Sequence, residues 1–308
     1  MHNDTSPTRT GSARAWLRAA RLRSLPLACS AVALGGGLAA AEGSFRLPVF
    51  VLSVLTALLL QVLSNFANDY GDAVKGADGP GRVGPRRSVA SGELSAAAMF
   101  RAVLLMAGFS LASGAVLLAL SLGADPVRWA VFLALGLASI AAAVLYTMGR
   151  RPYGYRGYGD FFVFVFFGLV AVAGSYALYG APLTRLPGLP ACAAGFFATA
   201  VININNIRDM ENDHANGKET LALRLGPRRA RIYHLALIGL GLACWAIWLA
   251  ATDRWRGLVL LAAAFPLIRS AWRVYGSLRP DVLDAQLRVT SVSAGFFNSL
   301  MALALVWL

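Results

Sequence analysis

The sequence predicts an all-α polytopic membrane protein with about nine transmembrane helices. Three observations predict it. Hydrophobic residues make up 57% of the 308-residue chain and charged residues 14%, with a mean hydropathy of +0.60. That is the composition of a chain solvated by lipid. Apolar runs of about 20 residues, enough to cross a hydrocarbon core of about 30 Å, recur from end to end. The runs are continuously apolar and do not alternate, which argues against a β-barrel.

Charge gives the orientation. The chain carries 28 Lys and Arg against 15 Asp and Glu, a net charge of +13. With the N-terminus inside, the outward connections hold Arg46, Arg128, Arg185, Arg254 and Arg256, leaving 23 of the 28 basic residues on the inward side. This is the positive-inside bias of a cell-membrane protein, with the N-terminus and the polar loops cytoplasmic. The basicity therefore belongs to topology and the inner leaflet, not to nucleic acid.

The elements follow in order. Residues 1–23 are a polar tail and a basic segment, ARAWLRAARLR, that reads as a helix on the inner interface. Residues 24–308 form one domain, with apolar runs at 24–41, 47–68, 95–122, 127–147, 160–180, 186–207, 230–251, 255–275 and 286–308. The second run passes into NFANDYGDAVKGADGPGRVGPRRSVASG, residues 65–92. A helix continued through it sets Asn65, Asp69 and Asp72 on one face, until Gly71, Gly76, Gly79 and Pro80 break it. The fourth run ends in YTMGRRPYGYRGYGD, residues 146–160, an aromatic and basic loop. Tyr146 and Arg150 stand four apart there, and Asp160 is placed to cap the next helix. The sixth run ends in NNIRDMENDHANGK, residues 205–218, where Asn205, Asp209 and Asp213 stand at i, i+4 and i+8, again on one face. The likeness of the second and sixth runs suggests two four-helix halves with a ninth helix added. Cys29, Cys192 and Cys244 lie in apolar segments and imply no disulfide framework.

Eight of the 15 acidic residues fall in or beside these two motifs: Asp69, Asp72, Asp78, Glu93, Asp209, Glu211, Asp213 and Glu219. Carboxylates are costly at membrane depth, about 2.5–3.5 kcal/mol each on insertion scales. A bound metal ion explains their clustering. Magnesium takes oxygen ligands, uses one or two carboxylates, and completes its shell with water and substrate phosphate. The interleaved Lys and Arg suit a metal carried together with phosphate. Two carboxylate sets and a ring of bases beside lipid-facing helices point to a lipid diphosphate. An allylic diphosphate ionises when cations neutralise the leaving group. Aromatic walls would then shield the carbocation from water; Phe161, Phe162, Phe164, Phe166, Phe167, Phe196 and Phe197 are the candidates. A cation transporter would place its carboxylates in mid-span, whereas these sit at the inner helix ends.

These residues carry a resemblance. SNFANDYGDAVKGAD at 64–78, GPRR at 84–87, PYGYRGYGD at 152–160 and NNIRDMENDHANGKETLALRLG at 205–226 resemble the UbiA superfamily of intramembrane prenyltransferases. Within it they look most like the branch that prenylates 1,4-dihydroxy-2-naphthoate on the route to menaquinone. The resemblance implies nine helices around a central cavity, two Asp-rich motifs after helices two and six, and magnesium, with two ions bridged by the diphosphate. It implies transfer of a polyprenyl group from its diphosphate to a ring carbon, with loss of carbon dioxide. The partners implied are the prenyl diphosphate, the aromatic acceptor and the bilayer, with no nucleic acid and no obligatory protein. Another acceptor, such as 4-hydroxybenzoate, is the alternative. Carried over, Asp69, Asp72, Asp209 and Asp213 would hold metal and diphosphate. Asn65, Asn68, Lys75, Arg86, Tyr146, Arg150, Asn206, Lys218 and Arg224 would contact the substrates. Many members space the first motif NDxxDxxxD. Here Asp78 follows Asp72 by six residues, with Lys75 between, so Asp78 is either a metal ligand or a contact or base for the acceptor.

Overall fold

The apolar runs become helices because the bilayer interior offers no partner for a free backbone N–H or C=O. The computed structural model describes residues 11–78, 84, 87–180 and 187–308. Helix α1 (Ala13–Ala20) is amphipathic: Ala15 and Ala19 are buried, Arg14 and Arg18 face outward, and the Ser12 hydroxyl accepts the N–H of Ala15 as a cap. Trp16 packs edge-on against Phe66 at 5.6 Å, so α1 lies against the bundle. It ends at Arg21, whose φ of 49° is left-handed, and a 3₁₀ turn at Leu22–Ser24 leads into α2 (Leu25–Ala41).

The remaining helices are α3 (Leu47–Val74), α4 (Ala96–Leu122), α5 (Pro126–Leu145), α6 (Gly159–Ala177), α7 (Gly188–Arg208), the short α8 (Met210–Ala215), α9 (Leu221–Ala251), α10 (Trp255–Gly276) and α11 (Pro280–Ala304). Asp125 caps α5 by accepting the N–H groups of Val127 and Arg128 at 3.0 and 3.1 Å. Among the described residues, eight helical segments are long and apolar enough to cross a membrane, the first running through α1 and α2. The ninth expected span falls on α11. It has 25 residues, and Asp281, Asp284, Gln286 and Arg288 make its first turns polar.

Boundaries differ from expectation where polar sequence prolongs a helix. α3 runs to Val74, so its 28 residues extend about 42 Å and its last turns outreach the hydrocarbon. α9 begins at Leu221 and kinks at Gly226 (φ 75°), just before Pro227, where a proline removes a ladder hydrogen bond. Asp160 is not a cap. The helix starts one residue earlier, so Asp160 is buried in the first turn, where the Tyr233 hydroxyl of α9 hydrogen-bonds to it.

Small residues set the closest crossings. A Cβ added to Gly168 of α6 would stand 2.6 Å from the Gly195 Cα of α7, and one on Gly37 of α2 would stand 2.4 Å from the Ala302 carbonyl oxygen of α11. The core closes on Phe197, Trp245 and Phe297, in edge-on contact at 5.8 and 6.4 Å. Helices α2 to α7 and α11 leave an apolar cavity of about 570 Å³ between them. Its wall follows α3 from Ser53 to Asp72, about 28 Å of helix rise and nearly the depth of a bilayer core.

Candidate active site

The first motif lies on the last turns of α3, as its spacing predicted. Its three polar side chains nevertheless take separate partners. The two oxygens of Asp69 accept the backbone N–H groups of Ser88 and Val89, each at 3.1 Å. Asp69 thus fastens the returning chain. One turn on, Asp72 accepts Arg87 Nη2 at 3.1 Å and the Tyr155 hydroxyl at 3.0 Å. Arg87 Nε stands 3.6 Å from Asp78 Oδ1, so one guanidinium bridges both aspartates.

The second motif is interrupted where a continuous helix was expected. Asp209 sits at a hitch (φ −97°, ψ 10°) between α7 and α8. The cause is Arg208, whose guanidinium forks onto Asp209 with two 2.8 Å bonds and also reaches Asp284 of α11 at 2.8 Å. Asp213 pairs with Lys218 at 3.2 Å through Oδ1, and its Oδ2 is buried with no hydrogen-bond partner among the described residues. Burial pushes the Asp213 carboxyl up to about 6; Lys218 pulls the other way, and the charges of Asp209 and Asp72 add to the rise. Burial disfavours the Lys218 ammonium, but Asp213, Asp72 and Asp209 outweigh it and hold its pKa above the ordinary lysine value. Burial and then Asp72 push both the Tyr146 and Tyr155 hydroxyls far above the usual range, which keeps them as donors.

Asp72, Arg87 and Lys218 line the polar end of the cavity. Tyr146, Tyr153, Phe162 and Phe166 follow as an aromatic row, with successive ring centroids 5.4, 4.1 and 6.2 Å apart. Of the expected phenylalanines, Phe162, Phe166 and Phe167 line the cavity. Phe161 is exposed outside it, Phe197 is fully buried in the core, and Phe164 packs on Phe196.

The other expected contacts divide. Asn68 and Tyr146 line the cavity, and Asn68 Oδ1 lies 3.3 Å from the Thr147 hydroxyl. Asn206 is buried, with its Oδ1 unpartnered among the described residues. Lys75 is exposed and donates to the Gly149 carbonyl, beside the Tyr155 ring. Arg150 is exposed and away from the cavity wall. Arg224 is half-exposed and spent on Glu219 and the Arg156 carbonyl, so it braces the 153–158 loop instead of facing a phosphate. Asn65 also lines the cavity, and its Nδ2 donates to the Ala20 carbonyl and the Ser24 hydroxyl of the N-terminal turn while its Oδ1 accepts from Gln61 of α3. Arg86 lies outside the described residues. Arg87, Tyr155, Arg208 and Asp284 were not singled out, although GPRR and PYGYRGYGD contain the first two.

A magnesium site fits this donor set. The acidic oxygens are hard ligands and Asp213 Oδ2 is buried and unspent. Among the described residues no three Asp, Glu, His or Cys side chains converge on one point, so water and phosphate would complete the shell.

A helical membrane bundle with two acidic motifs at one end of an apolar cavity defines an intramembrane prenyltransferase. The chain belongs to the UbiA prenyltransferase family, whose sequence profile matches residues 29–300. It is 43% identical to a 1,4-dihydroxy-2-naphthoate octaprenyltransferase of Escherichia coli (strain K12) over 95% of both chains. It is 38% identical to one from Mycobacterium tuberculosis (strain ATCC 25618 / H37Rv) over 82% of this chain and 83% of the other. The fold matches a UbiA homolog from Aeropyrum pernix K1 with a TM-score of 0.66 at 18% identity, over 87% of this chain and 96% of that one. It matches a UbiA homolog from Archaeoglobus fulgidus bound to GPP and Mg2+ with a TM-score of 0.63 at 18% identity, over 96% and 100%.

Proposed function

We propose that the protein transfers a polyprenyl group from an allylic polyprenyl diphosphate to 1,4-dihydroxy-2-naphthoate, with loss of carbon dioxide, giving demethylmenaquinone in its reduced, hydroquinone form. The observation that carries this reading is the juxtaposition of Asp72, Arg87 and Lys218 with an apolar, aromatic-walled cavity nearly as long as the bilayer is thick. The naphthoate activity of relatives at 43% and 38% identity over most of the chain supports the acceptor. By its basic residues, the polar end faces the cytoplasm of the cell membrane, where both substrates arrive.

Asp72 and Asp213, with Asp209 and Asp69 behind them, would hold magnesium, as two ions shared with the diphosphate. The metal supplies neutralisation of the leaving group. Arg87, Lys218 and the Tyr155 hydroxyl stabilise the same charge through donors fixed in a water-poor site. The C–O electron pair leaves with diphosphate. Tyr146, Tyr153 and Phe162 face the allylic cation and exclude water. A ring carbon of the acceptor supplies the pair for the new C–C bond, and the ring–carboxylate pair returns to the ring as carbon dioxide departs. Charge and atoms balance at the hydroquinone level, and oxidation of this product to the quinone is a separate two-electron step.

The test is a transfer assay on purified protein with a polyprenyl diphosphate and magnesium. 1,4-Dihydroxy-2-naphthoate and 4-hydroxybenzoate are run in parallel, with EDTA controls. Metal-dependent product from the naphthoate alone is expected. Product from the benzoate alone would overturn the acceptor, and product that survives EDTA would overturn the role of the metal.

A further inference from the structure

The acceptor ring becomes nucleophilic at carbon when a ring hydroxyl loses its proton, so the reaction proposed above needs a group to take it. The carboxylates at the polar end are taken: Asp69 by two backbone N–H groups, Asp72 by Arg87 and Tyr155, Asp209 by Arg208, and Asp213 by Lys218. Another buried carboxyl lies apart from them. Asp160, in the first turn of α6, is 4% exposed and makes no ion pair among the described residues. Its Oδ2 is buried with no hydrogen-bond partner among the described residues. An ionisable side chain inside a span is costly to bury and marks a task.

The surroundings of Asp160 are built. The Tyr233 hydroxyl of α9 hydrogen-bonds to its side chain, and the Thr199 hydroxyl of α7 lies 3.5 Å from its carbonyl oxygen. Three helices therefore meet there. Tyr146 links the place to the cavity, whose wall it lines. Its ring is let in by two glycines. A Cβ added to Gly154 would stand 2.9 Å from the Tyr146 Cε2, and one on Gly159, the residue before Asp160, would stand 3.1 Å from that atom and 3.4 Å from the Tyr146 hydroxyl oxygen. The hydroxyl thus rests against the start of α6. It lies within electrostatic reach of Asp72 and Asp213 on one hand and of Asp160 on the other.

We propose that Asp160 takes the hydroxyl proton of the aromatic acceptor, passed on by the Tyr146 hydroxyl, and that Tyr233 is the positioning residue that holds Asp160 for this. The assignment rests on the acceptor being a hydroxyaromatic carboxylate, as proposed above. Tyr146 gives up its own proton as it receives the acceptor's, and so never carries charge. The ring carbon that bears the carboxylate is next to a C–OH. The O–H pair moves in to make C=O, the adjacent ring π pair forms the bond to the allylic carbon, and the proton goes to Asp160. The ring is then the anion of a β-keto acid. Loss of carbon dioxide returns a pair to the ring and leaves an oxyanion, which takes the proton back along the same path. The proton is borrowed and returned, so the cycle consumes no acid and no oxidant.

The experiment measures the single-turnover rate of transfer and the steady-state KM in full-length wild type, Asp160→Asn, Asp160→Glu and Tyr233→Phe. Two acceptors are compared: 1,4-dihydroxy-2-naphthoate and a ring-fluorinated derivative whose hydroxyl is more acidic. Wild type must first transfer to 1,4-dihydroxy-2-naphthoate; failure there overturns the functional reading itself. With that in hand, Asp160→Asn is expected to slow transfer to the naphthoate by about a hundredfold or more, with KM for the prenyl diphosphate unchanged. With the fluorinated acceptor the loss shrinks to about tenfold or less, because a more acidic hydroxyl depends less on a base. Tyr233→Phe shows the same pattern more weakly, and Asp160→Glu recovers part of the rate. The proposal is overturned if folded Asp160→Asn keeps the wild-type rate, loses equally with both acceptors, or raises KM for the diphosphate instead. Should Asp160→Asn not fold, Tyr233→Phe decides by the same comparison: a loss equal for both acceptors, or no loss, overturns it.

Discussion

Arg87 and Asp72 form an ion pair at 3.1 Å at the polar end of the cavity, and the same guanidinium lies 3.6 Å from Asp78. The Arg87 side chain is 10% exposed, so the pair is shielded from bulk water. Its position suits a group that neutralises Asp72 before substrate binds and the diphosphate afterwards. Arg87→Ala should lower kcat/KM by roughly a hundred- to a thousand-fold, the usual loss on removing one fixed charge-stabilising donor. KM for the prenyl diphosphate should rise, and Arg87→Lys should restore part of the activity. Steady-state kinetics in both substrates checks this; a change confined to the acceptor KM would sink it.

The acidic residues should fail in different ways. Asp72→Ala and Asp213→Ala should abolish transfer while leaving a monodisperse, helical protein, since the first lines the cavity and the second carries an unspent oxygen. Asp69→Ala should also unfold more readily, because it strands the buried N–H groups of Ser88 and Val89. Each unsatisfied group costs about 1–3 kcal/mol. Thermal unfolding in detergent, read beside activity, separates the two behaviours. Normal transfer in Asp72→Ala or Asp213→Ala would refute the metal assignment.

Arg208 is a structural prediction. Its side chain is 1% exposed and holds Asp209, Asp284 and Asn205 together, joining the ends of α7 and α11. Removing one member of a buried ion pair leaves a charge without compensation and costs about 3–5 kcal/mol. Arg208→Ala should therefore lower the thermal midpoint markedly with or without substrate. Arg208→Lys should recover only part, because an ammonium cannot make the two-pronged contact with Asp209. An unchanged midpoint in Arg208→Ala would show that Asp209 finds another partner.

Helix positions were legible because a bilayer admits few structures and leaves a long apolar signature for each. The weakest signal came from α11, whose buried Gln286, Thr290, Ser291 and Asn298 dilute its apolar run. Motif spacing showed that Asn65, Asp69 and Asp72 share a helical face. It could not show where each side chain goes, because the partners come from distant segments: Ala20 and Ser24 for Asn65, Ser88 for Asp69, Tyr155 for Asp72. The same limit hid Arg208. A basic residue beside an acidic cluster looks like a phosphate clamp until Asp284 is folded against it. Arg224, likewise grouped with the motif, is drawn off by Glu219 and the 153–158 loop.

Asp213 should leave a pH signature on stability. Its carboxyl is pushed up to about 6 by burial, against an ordinary value of about 3.9 in an unfolded chain. The folded protein therefore binds this proton more tightly than the unfolded one. The sign follows: ionised Asp213 weakens the fold, and the penalty grows as pH rises from about 4 to about 6, then levels off. Asp213→Asn removes the titration and mimics the protonated acid. At pH 4 and without magnesium, wild type and variant should unfold at similar temperatures, since Asp213 is largely protonated in the folded state and Lys218 lacks its ionised partner in both. At pH 8 the variant should be the more stable of the two, and the gap should close as pH falls from about 6 to about 4. The variant should nonetheless be inactive at every pH, an exchange of stability for function common at active sites. Thermal midpoints of both proteins in EDTA across this range measure the gap directly. A gap independent of pH would mean that Asp213 is already ionised throughout, its burial fully offset by Lys218.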